Sequence, residues 1–356
     1  MDLKSRIERV RNQFIVHDTE AILISSPSNK FYLGNLYSSS GYILITRRSQ
    51  YLIVDFRYYE EVKNESCIFE PVLMSKENNI YKIINLIILK EGIKRIGFEG
   101  QEISYDLYSE FSKLLKCELF SLDLSKIRMI KDADEIENIK AACKIADDAF
   151  NHIVGFIKDG ISEREVENEL VRYIKQRGGE KESFDTIVAS GIRGALPHGK
   201  ASEKTIKSGE LITMDFGVRY KNYCSDITRT VALGTCQELL INIYNLVNFA
   251  GKEAIKGAKP GVTLGYLDST AREIIEKGGY GKYFGHNLGH GLGIQVHEYP
   301  AVAPNSDEVL IEGMVITIEP GIYLPGVGGV RIEEDILITK GGGVSLTNSS
   351  RELITL

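Results

Sequence analysis

The sequence predicts an α+β protein of two domains: a smaller α/β domain over residues 1–127 and a larger domain over 128–356 built as an internal two-fold pseudo-repeat. Three observations carry this. The chain has 356 residues, more than one compact core usually takes. Its first third alternates short β-rich runs with helical spacing. Its remainder contains the same phrases twice.

In the first third, "AILIS" (21–25), "YILIT" (42–46) and "YLIVD" (51–55) are β-rich runs bounded by turn residues. "NIYKIINLIILKEG" (79–92) has helical spacing and stops at a glycine. "RIGFEG" and "CELFSLDL" read as further strands. One histidine, His17, falls here, so no catalytic cluster is expected in this domain. The boundary is placed near Arg128, where "SKIRMIKDADEIENIKAA" (125–142) leads into a long helix; Asp132 and Glu135 have the spacing of a capping box.

In the second part, "IKDGIS" (157–162), a helix and "GG" (178–179) recur as "AKPGVT" (258–263), a helix and "GG" (278–279). "ITMDFG" (212–217) recurs as "ITIEPG" (316–321). Repetition is first an architectural signal. Here it also sets Asp215 and Glu319 at matching points of two apolar strands.

The composition is that of an ordinary globular protein, 43% hydrophobic and 26% charged, with a net charge of −6. Nucleic acid as main partner normally needs a basic patch, and this balance argues against it. No apolar run approaches the ~18 residues of a membrane span. The start, "MDLKSRIERVRNQF", lacks the apolar stretch of a signal peptide, and a cytoplasmic protein is expected. The five cysteines, Cys67, Cys117, Cys143, Cys224 and Cys236, form no CxxC pair; free thiols are expected in place of a disulfide framework or a thiolate zinc site.

The chemistry concentrates in "LITMDFGVRYKNYCSDITRTVAL" (211–233). With Lys221-Asn222 as a two-residue turn, Tyr220 pairs with Tyr223 and Gly217 faces Asp226. Side chains alternate along a strand, so Asp215, Gly217 and Asp226 share one face, and Gly217 is expected to leave space beside the two carboxylates. Like charges this close in an apolar setting call for a proton or a cation between them. The second hairpin, "VITIEPGIYLPGVGGVRIEEDILIT" (315–339), offers Glu319 and Glu333, with Glu334 and Asp335 competing for the latter's role and Arg331 placed to hold a carboxylate.

His286, His290 and His297 lie in "GHNLGHGLGIQVHEYP" (285–300) and His198 in "ALPHG" (195–199). His286 and His290 have the i, i+4 spacing of the helical zinc motif HExxH, but Asn287 replaces its glutamate and glycines at 285, 289, 291 and 293 would break the helix. A glycine-lined strand or loop is expected instead. An oxygen-rich donor set with imidazole suits Mn²⁺, Co²⁺, Fe²⁺ or Zn²⁺, and two such ions sharing carboxylates generate hydroxide at neutral pH. A dinuclear metallohydrolase is the reading of the residues themselves.

The order "PHG … MDFG … CSDITRT … GHGLG … VHEYP … ITIEPGIY … GVRIEED" resembles the pita-bread metallopeptidases, in their Xaa-Pro dipeptidase (prolidase) and aminopeptidase P branch, over roughly residues 128–350. The N-terminal part, with "NKFYLGNLYSSSGYILIT" (29–46) and "VDFRY" (54–58), is similar to the creatinase-like α/β domain of that branch. The resemblance implies a pita-bread fold for the second domain. It implies Asp215, Asp226, His290, Glu319 and Glu333 as ligands of two divalent ions, Mn²⁺ or Co²⁺ before Zn²⁺ or Fe²⁺, with Asp226 and Glu333 bridging. It gives Glu319 a second role as proton shuttle, puts His198 and His297 on the scissile carbonyl or substrate, lines the site with His286, and makes Tyr323 and Arg331 supporting residues. The implied reaction is hydrolysis, by a metal-bridging hydroxide, of the bond between an N-terminal residue and proline in short peptides. The implied assembly is a homodimer in which the N-terminal domain serves substrate access and dimer contacts.

Two positions depart from the family phrases. Ala301 stands after "HEYP", where some prolidases carry a carboxylate-binding arginine, and this raises aminopeptidase P activity against a strict dipeptidase. Phe56 stands in "VDFRY" where glycine is common. The alternatives are a methionine aminopeptidase-like activity, against which the N-terminal domain argues, and a non-catalytic binding module, which would be expected to have lost ligands. Creatine amidinohydrolase shares the two-domain fold but lacks the metal-ligand set, and a generic dinuclear phosphatase is a further fallback.

Overall fold

Five isoleucines, Ile80, Ile83, Ile84, Ile87 and Ile88, form one buried stripe of a helix whose ends are set by Asn79, accepting the Lys82 N–H, and by Gly92 at φ 72°. That helix is one of five α-helices among the described residues of the first of two units, Met1–Arg128 and Met129–Leu356. The structure is a computed structural model that describes residues 3–65 and 68–356; Cys67 lies outside the described residues.

The first unit runs α1 (Leu3–Val16), β1 (Ala21–Ile24), α2 (Pro27–Gly34), β2 (Tyr42–Thr46), β3 (Gln50–Val54), α3 (Phe56–Glu65), β4 (Glu70–Leu73), α4 (Ile80–Glu91), β5 (Arg95–Glu99), α5 (Tyr105–Leu114) and β6 (Glu118–Leu122). Its mixed six-stranded sheet has the order β4-β3-β2-β1-β5-β6. β1 at the centre is buried at every residue, which explains its unbroken apolar run. The α4 stripe joins Leu23, Leu44, Ile53 and Ile96 in one core.

The second unit begins with α6 (Ala133–Val154), opened by the Asp132–Glu135 capping box, and α7 (Glu163–Gln176). Strands β7 (Lys181–Glu182), β8 (Ile187–Ser190), β9 (Glu210–Phe216), β10 (Val218–Tyr220), β11 (Tyr223–Cys224) and β12 (Ile227–Leu233) follow. The pattern restarts with α8 (Glu238–Gly257) and α9 (Leu264–Lys277), then β13 (Gly289–Gly291), β14 (Glu298–Val302), β15 (Val315–Ile318), β16 (Gly321–Leu324), β17 (Gly328–Arg331), β18 (Glu334–Thr339) and β19 (Gly342–Ser345). The sheets are β12-β9-β8, β11-β10-β7, β14-β13-β15-β18-β19 and β16-β17.

The repeat seen in the sequence is physical. α7 and α9 have 14 residues each, capped by Ser162 and Thr263. Each cap residue also forms an isolated bridge to a returning segment, at Thr205 and Val309. Gly160 and Gly261 precede them at φ 93° and 89°, a region only glycine adopts freely. Each half buries its helix pair against its own strands: Phe150, Val166 and Leu170 with Met214 and Val231 in one, Ile243, Val247 and Leu267 with Ile316 and Ile336 in the other. No helix among the described residues is long and apolar enough to cross a membrane. Cys117, Cys143, Cys224 and Cys236 are free thiols.

Candidate metal centre

Lys221 and Asn222 both have positive φ, 47° and 64°, which makes the tight hairpin turn whose twist matches its strands. Tyr220 pairs with Tyr223, and the same register runs on to Phe216 opposite Ile227 and Asp215 opposite Thr228. Asp226 therefore stands diagonal to Asp215 on one face. Gly217 has a different reason from the expected one. A Cβ there would lie 2.0 Å from the Ser225 carbonyl oxygen and 2.9 Å from Ser183 Oγ. The glycine permits the backbones to approach; it does not open space beside the carboxylates. A second expectation also shifts: Glu319 lies just past the end of β15, not within it.

The ten residues singled out in the sequence, Asp215, Asp226, His198, His286, His290, His297, Glu319, Tyr323, Arg331 and Glu333, line one cavity of about 1150 Å³. Glu334 and Asp335 do not line it. Glu334 accepts from the buried Arg229 at 2.6 Å and from Ser345 Oγ at 2.8 Å. Asp335 accepts the Asp226 N–H at 2.9 Å and the Cys143 thiol at 3.3 Å. Of the three acids of "EED", Glu333 is the one that lines the cavity.

Around the cavity the two hairpins interlock. Arg331 Nη2 donates to Asp215 Oδ2 at 2.6 Å, Nη1 to the Tyr323 hydroxyl at 2.7 Å, and Nε to Thr228 Oγ1 at 3.0 Å. Thr228 in turn donates to Glu333 Oε2 at 2.7 Å. Thr317 Oγ1 accepts the His290 N–H at 3.0 Å and donates to Glu319 Oε1 at 3.3 Å. Glu319 N–H reaches the Leu288 carbonyl at 2.8 Å.

The imidazole tautomers follow from their partners. His290 Nδ1 is 3.0 Å from the Gly291 carbonyl, which only accepts, so Nδ1 carries the proton and Nε2 is bare. That bare nitrogen lies 3.4 Å from Glu319 Oε1 and 3.7 Å from Asp226 Oδ2. Burial pulls His290 down to about 4, so the ring is neutral near pH 7. His286 is set the same way: Nδ1 donates to the Asn287 carbonyl at 2.7 Å, and Nε2 accepts from the Tyr323 hydroxyl at 2.9 Å. His297 stands edge-on to His290, with ring centroids 4.4 Å apart. His198 is exposed at the rim, on a chain segment anchored from below by Glu163. That wholly buried carboxylate accepts from the backbone N–H and hydroxyl of Ser190, each at 2.8 Å, from Ser202 Oγ at 2.7 Å, and from Arg193.

The electrostatics ask for a cation. Among the described residues, only Asp215 of the four acids has an arginine or lysine partner. Burial and then the neighbouring carboxylates hold Asp226 and Glu333 well above the usual carboxylate range. Burial, opposed by Arg331, pushes Glu319 up to about 8. Asp215 Oδ1 and Asp226 Oδ1 are buried with no hydrogen-bond partner, a costly arrangement unless something else satisfies them. Asp226, His290 and Glu333 bring ligand atoms within 4.8 Å of one another. Orphaned carboxylate oxygens, a bare imidazole nitrogen and oxygen-rich donors fit divalent metal ions.

Sequence reasoning did not single out Thr228, Thr317 or Glu163. Thr228 was reachable, since the hairpin register places it opposite Asp215. Thr317 and Glu163 carried no signal, because Thr317 receives a backbone N–H from His290 and the partners of Glu163 are distant in the chain.

Comparison with known proteins gives the family. Residues 137–340 match metallopeptidase family M24, and residues 6–130 match the creatinase/prolidase N-terminal domain. The chain is 44% identical to an Xaa-Pro dipeptidase of Pyrococcus horikoshii, over 99% of each chain. Among solved structures it is similar to an Xaa-Pro dipeptidase from Bacillus anthracis, 42% identical with TM-score 0.97 over 100% of both chains. It is also similar to an X-Pro aminopeptidase from Thermotoga maritima, 39% identical with TM-score 0.88 over 95% of this chain and 98% of the other. With a metal-fitting donor set assembled from both halves of a repeated domain, and with both matches in chain order, the protein belongs to metallopeptidase family M24 and carries a creatinase/prolidase-type N-terminal domain.

Proposed function

We propose that the protein hydrolyses the bond between an N-terminal residue and proline in short peptides. The observation that carries this reading is the convergence of four carboxylates and the bare Nε2 of His290 in one cavity with His198 and His297, in a chain similar along its whole length to Xaa-Pro dipeptidases.

Asp215, Asp226, His290, Glu319 and Glu333 would hold two divalent ions, Mn²⁺ or Co²⁺ before Zn²⁺ or Fe²⁺. Such ions supply Lewis acidity and make water a nucleophile near neutral pH. The chain's own residues do the rest. Glu319 takes the proton of the attacking water and delivers it to the proline nitrogen. That nitrogen carries no hydrogen in the peptide, so it must be protonated to leave. His297 and His198 donate to the scissile carbonyl oxygen as it gains charge. Arg331 orients Asp215 through its 2.6 Å hydrogen bond, and the Tyr323 hydroxyl fixes the His286 ring.

Ala301 pairs directly opposite His290 and lines the cavity. It brings no charge for a dipeptide's free carboxylate. The cavity, at about 1150 Å³, also exceeds the ~300–1000 Å³ of common small-ligand sites. Both favour substrates that extend past proline, as for an aminopeptidase P, alongside dipeptides. The reading includes a homodimer in the cytoplasm; the free thiols suit a reducing compartment, and light scattering on the purified chain tests the assembly.

The test is hydrolysis of an Xaa-Pro dipeptide, an Xaa-Pro-Yaa tripeptide and a Met-Ala peptide with added Mn²⁺, Co²⁺ or Zn²⁺. Cleavage of both proline peptides, with the Met-Ala peptide spared, is expected. Preference for the Met-Ala peptide, or cleavage of none with any metal, would overturn the reading.

A further inference from the structure

The chain that carries His286, Leu288 and His290 leaves α9 through a short 3-10 turn, Gly281–Tyr283, and has no regular structure until Gly289. Its backbone groups must find partners elsewhere, and α9 supplies them. Asp268 is 1% exposed. It accepts the Leu288 N–H at 3.0 Å and receives Arg272 through Nε at 2.7 Å and Nη2 at 2.8 Å. Arg272 then spends further donors on the segment itself: Nη1 on the Phe284 carbonyl and Nη2 on the His286 carbonyl, both at 2.9 Å. Its guanidinium lies over the Phe284 ring, 4.3 Å from the centroid, and that ring meets the His286 imidazole edge-on at 5.1 Å.

The same peptide segment leads to the metal centre. The Leu288 carbonyl accepts the Glu319 N–H at 2.8 Å, so Leu288 has Asp268 on one side and Glu319 on the other. His286 reaches Asp215 through Tyr323 and Arg331. A pair serving only its own helix would resemble Lys277–Glu273 on the same α9, whose side chains are 76% and 63% exposed and which contributes little. Asp268–Arg272 is buried at the acid and forked toward backbone carbonyls, and a lysine, a single point donor, cannot reproduce that fork.

We propose that Asp268 and Arg272 are positioning residues for the metal centre: they fix the backbone of 284–288 so that His286 meets Tyr323. This rests on the peptidase reading of the site. The test compares wild type, Arg272→Lys, His286→Ala and the double variant, all as the full chain. Turnover of an Xaa-Pro dipeptide is measured with Mn²⁺, and thermal midpoints and histidine-ring carbon–proton NMR spectra are recorded on the zinc-loaded chain. His286→Ala identifies the His286 signal among the six histidines. Arg272→Lys is expected to keep its midpoint within about 4 °C and its KM within about twofold. Its kcat should fall about tenfold or more, the scale of a misplaced catalytic element. The His286 signal should shift or broaden, and the double variant should be no slower than His286→Ala alone. An unmoved His286 signal, or losses that multiply in the double variant, would overturn the proposal. Should Arg272→Lys fail to fold, Asp268→Asn, which keeps the side-chain shape, is put through the same cycle. If the wild type cleaves no Xaa-Pro peptide, the substrate reading falls, and the His286 signal alone decides the positioning claim.

Discussion

The two halves of the second domain repeat their frame but not their chemistry. In the first, a two-residue turn joins β10 to β11, and the half contributes Asp215 and Asp226, each with one buried orphaned oxygen. In the second, the chain between Glu319 and Glu333 takes a detour through β16 and β17, and the half adds three histidines on a glycine-rich segment. α7 and α9 coincide in length, in a capping hydroxyl residue and in the positive-φ glycine before it, while α6 and α8 run to 22 and 20 residues with different caps. The donors differ because a single site between the halves needs complementary contributions. Thr228 and Arg331 cross from one half to the other and make the two sets of acids one unit.

If the halves act as one centre, removing a donor from either side should damage it equally. Asp226→Asn and Glu333→Gln are each expected to lower turnover by more than about 100-fold, since losing even an indirect partner of a metal ligand costs ~10–100-fold. Equal metal affinity in either variant and wild type would separate the halves. Arg331→Met should fall in that ~10–100-fold range, because Asp215 keeps its place in the chain and loses only its partner; titration calorimetry with Mn²⁺ reads it.

A smaller effect appears in stability. In the metal-free protein, Glu319 stands near 8 against an ordinary 4.5, with Asp226 and Glu333 displaced in the same direction. Acids raised in the folded state bind more protons folded than unfolded, so metal-free stability should fall as pH rises from about 4.5 to about 8. Saturating Mn²⁺ should remove that fall. Thermal midpoints across this window, with and without metal, check the sign; metal-free stability rising with pH would contradict it. The smallest effect separates two glycines. Gly217→Ala should cost about 1–3 kcal/mol through its collision with Ser225. Gly285→Ala, with nothing within 4 Å of the added carbon, should stay within about 0.5 kcal/mol. Chemical denaturation reads both.

Much of this was legible in sequence where physics is local. The hairpin register followed from Lys221-Asn222 and strand alternation, and the α6 capping box and α4 stripe from spacing alone. The internal repeat brought Asp215 and Glu319 into correspondence before any coordinates. What escaped depends on contacts between distant segments. Gly217 was read through its own strand, but its constraint comes from Ser225 and Ser183 across the fold. Glu333 could not be told from Glu334 and Asp335, because the irregular path through β16 and β17 hides which way each acid points. Asp268 and Arg272 show only the i, i+4 spacing of a helical pair, since their further partners are backbone groups without a sequence signature: the Leu288 N–H for Asp268 and two carbonyls for Arg272.

Acids from both halves line one cavity and are expected to hold metal there. Anomalous scattering from Mn²⁺-soaked crystals of the full chain tests this most directly. Two peaks are expected, bounded by Asp215, Asp226, His290, Glu319 and Glu333. Peaks outside that set, or none there in crystals that hydrolyse Xaa-Pro peptides, would contradict it.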